Sequence, residues 1–142
     1  MKLSEYRYSN CLYFTSNALA RKMEGMAIES FKPVELNPSL ALLLILAIEN
    51  PGIQPGRVSE QLQLTPSTIT RLIEKLEKRK LLVRIFESKA TNIYPTANAK
   101  KISSILYQCV ENFNASYQKI LGIEESKKLL KDICNTIGKL KE

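Results

Sequence analysis

The sequence predicts a mainly α-helical fold with one small two-stranded hairpin, and three observations lead there. Apolar residues recur at three- and four-residue spacing through most of the chain. One segment, Val83 to Phe86, alternates instead, and a second extended run at Thr91 to Tyr94 follows it and is closed by Pro95. Two short helical patterns meet across a tight turn at Leu64-Thr65-Pro66. At 142 residues the chain fits one domain, and its 44% hydrophobic and 25% charged content is that of a folded protein rather than a disordered one.

Taken in order, residues 5 to 31 read as one long helix with two apolar stripes. Cys11, Phe14 and Ala18 form the first, and Leu12, Leu19, Met23 and Met26 the second. Asn37-Pro38 has the composition of a helix start, and the apolar run that follows ends near Asn50-Pro51-Gly52. Pro55 or Gly56 opens a short helix carrying Val58 and Leu62. It stops at Leu64, because Thr65 and Pro66 suit the cap and first turn of another helix, whose buried stripe is Ile69, Leu72, Ile73 and Leu76. After the hairpin, Thr96 caps a helix with a nearly unbroken stripe from Ile102 to Ile120, and Leu130, Ile133, Cys134, Ile137 and Leu140 mark the last one. The long helices carry more apolar face than the small core can cover, which points to a partner subunit built against residues 5–36 and 97–142. The stripe from Ile102 to Ile120 is expected between subunits, and Cys109 and Cys134 in the core.

The net charge of +7 is unevenly placed. Residues 1–56 are neutral overall, whereas residues 57–89 carry eight lysines and arginines against four glutamates. A focused basic surface attracts a polyanion. The apolar run from Leu40 to Ile48 is about half of the ~20 residues a membrane-spanning helix needs, and no apolar leader precedes it, so a cytoplasmic protein without membrane contact is expected. There is no histidine, and the three cysteines lack CxxC spacing, which argues against metal sites, cofactors and disulfides. Without histidine, a Gly-rich phosphate loop or a nucleophile motif, no catalytic residue is assigned and no enzyme is expected.

The chemistry therefore centres on the second helix of the pair. Small polar residues Thr65, Ser67, Thr68 and Thr70 stand at its start, where short side chains and first-turn N–H groups can approach base edges and phosphates. Arg71 follows and suits a phosphate or a guanine edge, while Lys75 suits backbone attraction. Lys89, at the hairpin turn, suits a narrow minor groove. Arg57 and Arg84 complete the set of candidate DNA contacts.

These residues resemble the multiple-antibiotic-resistance regulator (MarR) family of winged helix-turn-helix repressors. The likeness lies in Val58-Ser59-Glu60-Gln61-Leu62, Ser67-Thr68-Ile69-Thr70-Arg71-Leu72-Ile73, Leu76-Glu77-Lys78, Leu81-Leu82-Val83-Arg84 and Thr96 opening the next helix. It implies a winged helix-turn-helix lobe over residues 37–96, a homodimer through the terminal helices, and repression of a promoter. Two departures stand out. Glu87-Ser88-Lys89 replaces the family's Asp-Arg-Arg in a hairpin about three residues shorter, and Lys80 replaces a glycine after the recognition helix, so either Lys80 is left-handed or the turn differs. Cys11 resembles the reactive cysteine of the family's peroxide-sensing branch, although Ser39 stands where that branch has a tyrosine. A redox sensor and a packed thiol are both open readings of it.

The expected function is a sequence-specific double-stranded-DNA-binding regulator, with two recognition helices about 34 to 36 Å apart on a pseudo-palindromic operator, released by a small-molecule effector or by oxidation. The rival readings are a winged-helix module that binds protein, and a redox or ligand sensor with vestigial DNA binding.

Overall fold

The computed structural model describes residues 2–140. Among these, six α-helices and one antiparallel hairpin follow in the order α1 (Leu12–Ser30), α2 (Pro38–Glu49), α3 (Pro55–Leu62), α4 (Pro66–Lys78), β1 (Leu82–Glu87), β2 (Ala90–Pro95), α5 (Ala97–Leu121) and α6 (Ile123–Lys139). None is long and apolar enough to cross a membrane.

The first helix starts seven residues later than its pattern suggests. Residues 6–10 form turns instead, with Ser9 N–H donating to Tyr6 O, Cys11 N–H to Tyr8 O and the Ser9 hydroxyl to Ser4 O. Short polar side chains that bond their own backbone compete with helix in this way. Cys11 consequently occupies the N-cap, in extended conformation, and not the second turn.

The core is one contiguous cluster. Helix α2 lies at its centre, apolar all round, with Ala41, Leu43, Leu44 and Ala47 fully buried. Val58 of α3, Ile69, Ile73 and Leu76 of α4, Leu82 of β1, Ile93 of β2 and Leu106 and Cys109 of α5 close around it. The hairpin register pairs Leu82 with Pro95 and Glu87 with Ala90, and Ile53 bridges Ile93 on the outer edge of β2. Gly52 makes that edge accessible: at φ +90, with its N–H donating to Ile93 O, it sits where an added Cβ would lie 3.2 Å from the Tyr94 hydroxyl.

Two expectations about the long helices are corrected. The middle of the α5 stripe packs inside the chain, where Leu106 and Cys109 are buried and Ile102, Val110 and Phe113 rest on the same core. The stripe is therefore not a purely intersubunit surface, because α2 presents an apolar face that α5 must cover. Cys134 is exposed rather than buried. Helix α6 adds no buried apolar residue to the core, and its Leu130, Ile137 and Leu140 stand 50%, 57% and 69% exposed. Facing them, Leu12 and Leu19 of α1 are also exposed. An apolar cleft runs between the two helices, lined by Leu12, Leu19 and Met23 on one side and Ile133, Ile137 and Leu140 on the other.

Candidate nucleic-acid interface

The α3–α4 turn is held by backbone geometry and by one serine. Gln63 adopts a left-handed conformation at φ 54, Leu64 N–H donates to Ser59 O, and the Ser59 hydroxyl donates to Leu64 O. Thr65 caps α4 by accepting from Thr68 N–H at 3.4 Å, and its hydroxyl also meets those of Thr68 at 2.9 Å and Ser67 at 3.3 Å. Pro66 at the first position removes one of the unpaired first-turn donors. Burial of Ile69, Ile73 and Leu76 then fixes the rotation of α4, so that Ser67, Thr70, Arg71, Lys75 and Lys78 are on its exposed side.

The cations selected from the sequence divide into free and engaged groups. Arg71 is exposed, and its guanidinium lies 3.4 Å from the Thr68 hydroxyl. Lys75 and Lys89 are exposed and in no ion pair among the described residues. Arg57, by contrast, pairs with Glu60 at 2.9 Å on the surface. Arg84 pairs with Glu77 at 2.8 Å, with both side chains more than half covered, and thereby braces β1 against α4. Arg79, another of the eight cations of residues 57–89, is not free either. Its guanidinium donates to Glu35 O at 2.6 Å and Val34 O at 3.4 Å, tying the end of α4 to the loop between α1 and α2. Nothing in the sequence singles out the bonds that Ser59 and Arg79 make here.

Lys80 does adopt the left-handed conformation, at φ 60, and the turn is the one glycine would make. Lys80 N–H donates to Glu77 O and Leu81 N–H to Leu76 O, the two bonds of a Schellman cap. The Thr96 hydroxyl donates to Lys80 O at 2.7 Å while accepting from Ala99 N–H at 3.2 Å, so one side chain caps α5 and anchors it to the end of α4.

The hairpin closes through Ser88 and Lys89, both left-handed at φ 48 and 66, in the manner of a type I′ turn. On the face of the hairpin that carries Val83 and Ile85, the Glu87 carboxylate accepts from the Tyr94 hydroxyl at 2.6 Å and from the Asn92 amide at 3.2 Å. Those bonds lower the Glu87 carboxyl below its ordinary value, the Tyr94 bond most, and the same bond raises the Tyr94 phenol. The wing tip therefore holds a carboxylate as well as Lys89.

Cys11 is half-buried, and no donor bonds its sulfur among the described residues. The nearby Arg7 lies over the Tyr8 ring, 5.2 Å from its centroid. Burial raises the Cys109 thiol. No group of three metal-ligating side chains occurs among the described residues.

Residues 39–83 match the family model for winged helix-turn-helix DNA-binding segments. The chain superposes on a transcriptional repressor, CouR, bound to a 23-mer DNA duplex, with a TM-score of 0.84, 18% identity and coverage of 96% of this chain and 98% of that one. The same repressor bound to p-coumaroyl-CoA gives a TM-score of 0.84 at 19% identity, over 96% of this chain and 98% of that one. A MarR-family regulator from Rhodococcus sp. RHA1 gives 0.76 at 23% identity over 91% and 94%. The chain has the MarR fold. In sequence, it is 28% identical over 91 residues to the uncharacterized HTH-type transcriptional regulator YybA of Bacillus subtilis (strain 168), a match spanning 62% of this chain and 61% of that protein. Within the MarR fold, α3 and α4 are the helix-turn-helix, α4 its second helix, and β1–β2 the wing.

Proposed function

We propose that this chain is a sequence-specific, double-stranded-DNA-binding transcriptional regulator, a cytoplasmic repressor without enzymatic activity, that works as a homodimer. The observation that carries the reading is the exposed side of α4: Ser67, Thr70, Arg71 and Lys75 face outward on a helix whose rotation is locked by three buried residues. Small polar groups at a helix start followed by free cations suit base edges and phosphates in a major groove. Thr65 and Thr68 shape that helix start, Lys89 supplies charge at the wing, and Arg57 and Arg84 serve phosphates at most through rearranged ion pairs.

The helix-turn-helix lobe spans residues 37–96, and residues 5–36 and 97–142 pair the subunits, with residues 141 and 142 lying outside the described residues. The open apolar surface of α1 and α6, with Leu12, Tyr13, Ile137 and Leu140 each more than half exposed, supports that assembly. A two-fold dimer presents two α4 helices to successive major grooves of a pseudo-palindromic operator. CouR's complexes with DNA and with p-coumaroyl-CoA support release by a small-molecule effector. Release by oxidation of Cys11 has less support, since its sulfur has no thiolate-stabilising donor among the described residues.

Gel-shift titration with DNA from upstream of the chain's own gene tests the reading. Arg71→Ala should weaken specific binding by about 1–3 kcal/mol, Lys75→Ala should weaken all sequences alike, and affinity should fall steeply with salt. Affinity indifferent to both substitutions and to salt would remove α4 as the interface.

A further inference from the structure

We infer that Phe86 is the wing's principal DNA-contacting side chain, an apolar wedge that enters the minor groove beside Lys89. The inference rests on the DNA-binding reading above and adds to it the chemistry of the wing.

Phe86 is 74% exposed, against 46% for Leu42 and 44% for Ile85 in the same lobe. Alternation along β1 places Leu82, Arg84 and Phe86 on one face. That face is the one turned to α4, because Leu82 is buried in the core and Arg84 reaches Glu77. Phe86 thus stands about 7 Å beyond Arg84 along the strand, on the face whose Arg84 reaches α4.

Charge at the tip is arranged to suit this. Glu87, which a phosphate would repel, is drawn to the opposite face by Tyr94 and Asn92. Arg84, the strand's only cation, is committed to Glu77. What remains on the Phe86 face of the tip is the aromatic ring, Thr91 paired across from it and, at the turn, the exposed Lys89. A ring cannot neutralise phosphate, but it can press on sugar and base edges or wedge a step apart, as phenylalanines do in minor-groove binders. Two left-handed residues close the tip as a two-residue turn, so no longer loop screens the ring or Lys89.

The test titrates the full chain with a duplex selected from random-sequence DNA, labelled with 2-aminopurine at steps flanking the recognition half-sites. Phe86→Ala should weaken binding about tenfold, about 1.4 kcal/mol, with the salt slope unchanged because no charge is lost. It should also abolish any 2-aminopurine fluorescence gain at the wing-facing step. Phe86→Leu should retain part of both signals. Lys89→Ala should instead lower the salt slope by about one. Thermal unfolding of Phe86→Ala should match the parent, since the ring is exposed. Binding that Arg71→Ala weakens but Phe86→Ala leaves intact, together with an unaltered fluorescence signal, overturns the wedge and leaves the α4 interface standing. A parent chain that binds no duplex overturns both.

Discussion

Lys80→Gly should stabilise the protein, although it removes a side chain and touches nothing buried. Lys80 is exposed, in no ion pair among the described residues, and left-handed at φ 60 at the end of α4. A residue with a Cβ pays about 1–2 kcal/mol for that conformation. Glycine adopts it freely but adds about 0.5–1 kcal/mol of unfolded-chain entropy to be lost on folding. The difference is a gain of about 0.5–1 kcal/mol, a rise of about 2–4 °C in Tm for a chain of this size. The Schellman bonds from Lys80 N–H and Leu81 N–H, and the acceptance of the Thr96 hydroxyl by the residue-80 carbonyl, are backbone features that glycine retains. Urea unfolding of parent, Lys80→Gly and Lys80→Ala at one protein concentration checks this, with the m value unchanged. Alanine keeps the Cβ and should not stabilise. Equal stabilisation by alanine and glycine, or a loss with glycine, would refute the argument from backbone strain.

Cys109, buried against α2 of its own subunit with its thiol raised by burial, should be the slowest of the three cysteines to react with a maleimide. Mass spectrometry of partially labelled native protein reads this, and Cys109 labelling as fast in native as in urea-unfolded protein would contradict the packing of α5. The wing should respond to pH at both extremes. Glu87 is depressed, so its contribution is present above its ordinary 4.5 and is lost as pH falls through the folded value; Tyr94 is raised, so its contribution is present below its ordinary 10.0 and is lost as pH rises through the folded value. Glu87→Gln should return the Tyr94 titration, followed by NMR, toward 10.0; an unshifted Tyr94 in the parent would show that the contact does not form.

The fold was legible wherever a residue type has a local physical consequence. Asn37-Pro38 and Thr65-Pro66 mark helix starts at the observed positions, although the Asn37 side chain makes no cap bond. Alternation at 83–86 marks the first strand, and Thr91 to Tyr94 return as its antiparallel partner. The first seven residues of the predicted opening helix failed because two apolar stripes do not reveal that Tyr6, Ser9 and Asn10 prefer turns. The α5 stripe failed differently. Periodicity reports that a face is buried but not what buries it, and here the inner part meets α2 of its own chain.

The candidate site was legible in its charge total and not in its charge assignment. Counting cations over residues 57–89 found the basic lobe, but the count treats Arg57, Arg71, Lys75, Arg79, Arg84 and Lys89 as equivalent. Three-dimensional pairing separates them: Arg79 clasps two carbonyls some 44 residues away in sequence, and Arg84 clasps Glu77, so both hold the lobe together. A bidentate or fork-shaped donor suits such bracing, whereas the lysines and Arg71 remain free to meet phosphate. With Arg79 and Arg84 engaged, the wing has no free guanidinium to offer a phosphate. That same engagement leaves Phe86 as its prominent group. The Glu87-Ser88-Lys89 sequence, which looks like a degraded basic tip, is then a different solution: a compact turn that holds its carboxylate on one face and exposes an aromatic ring on the other.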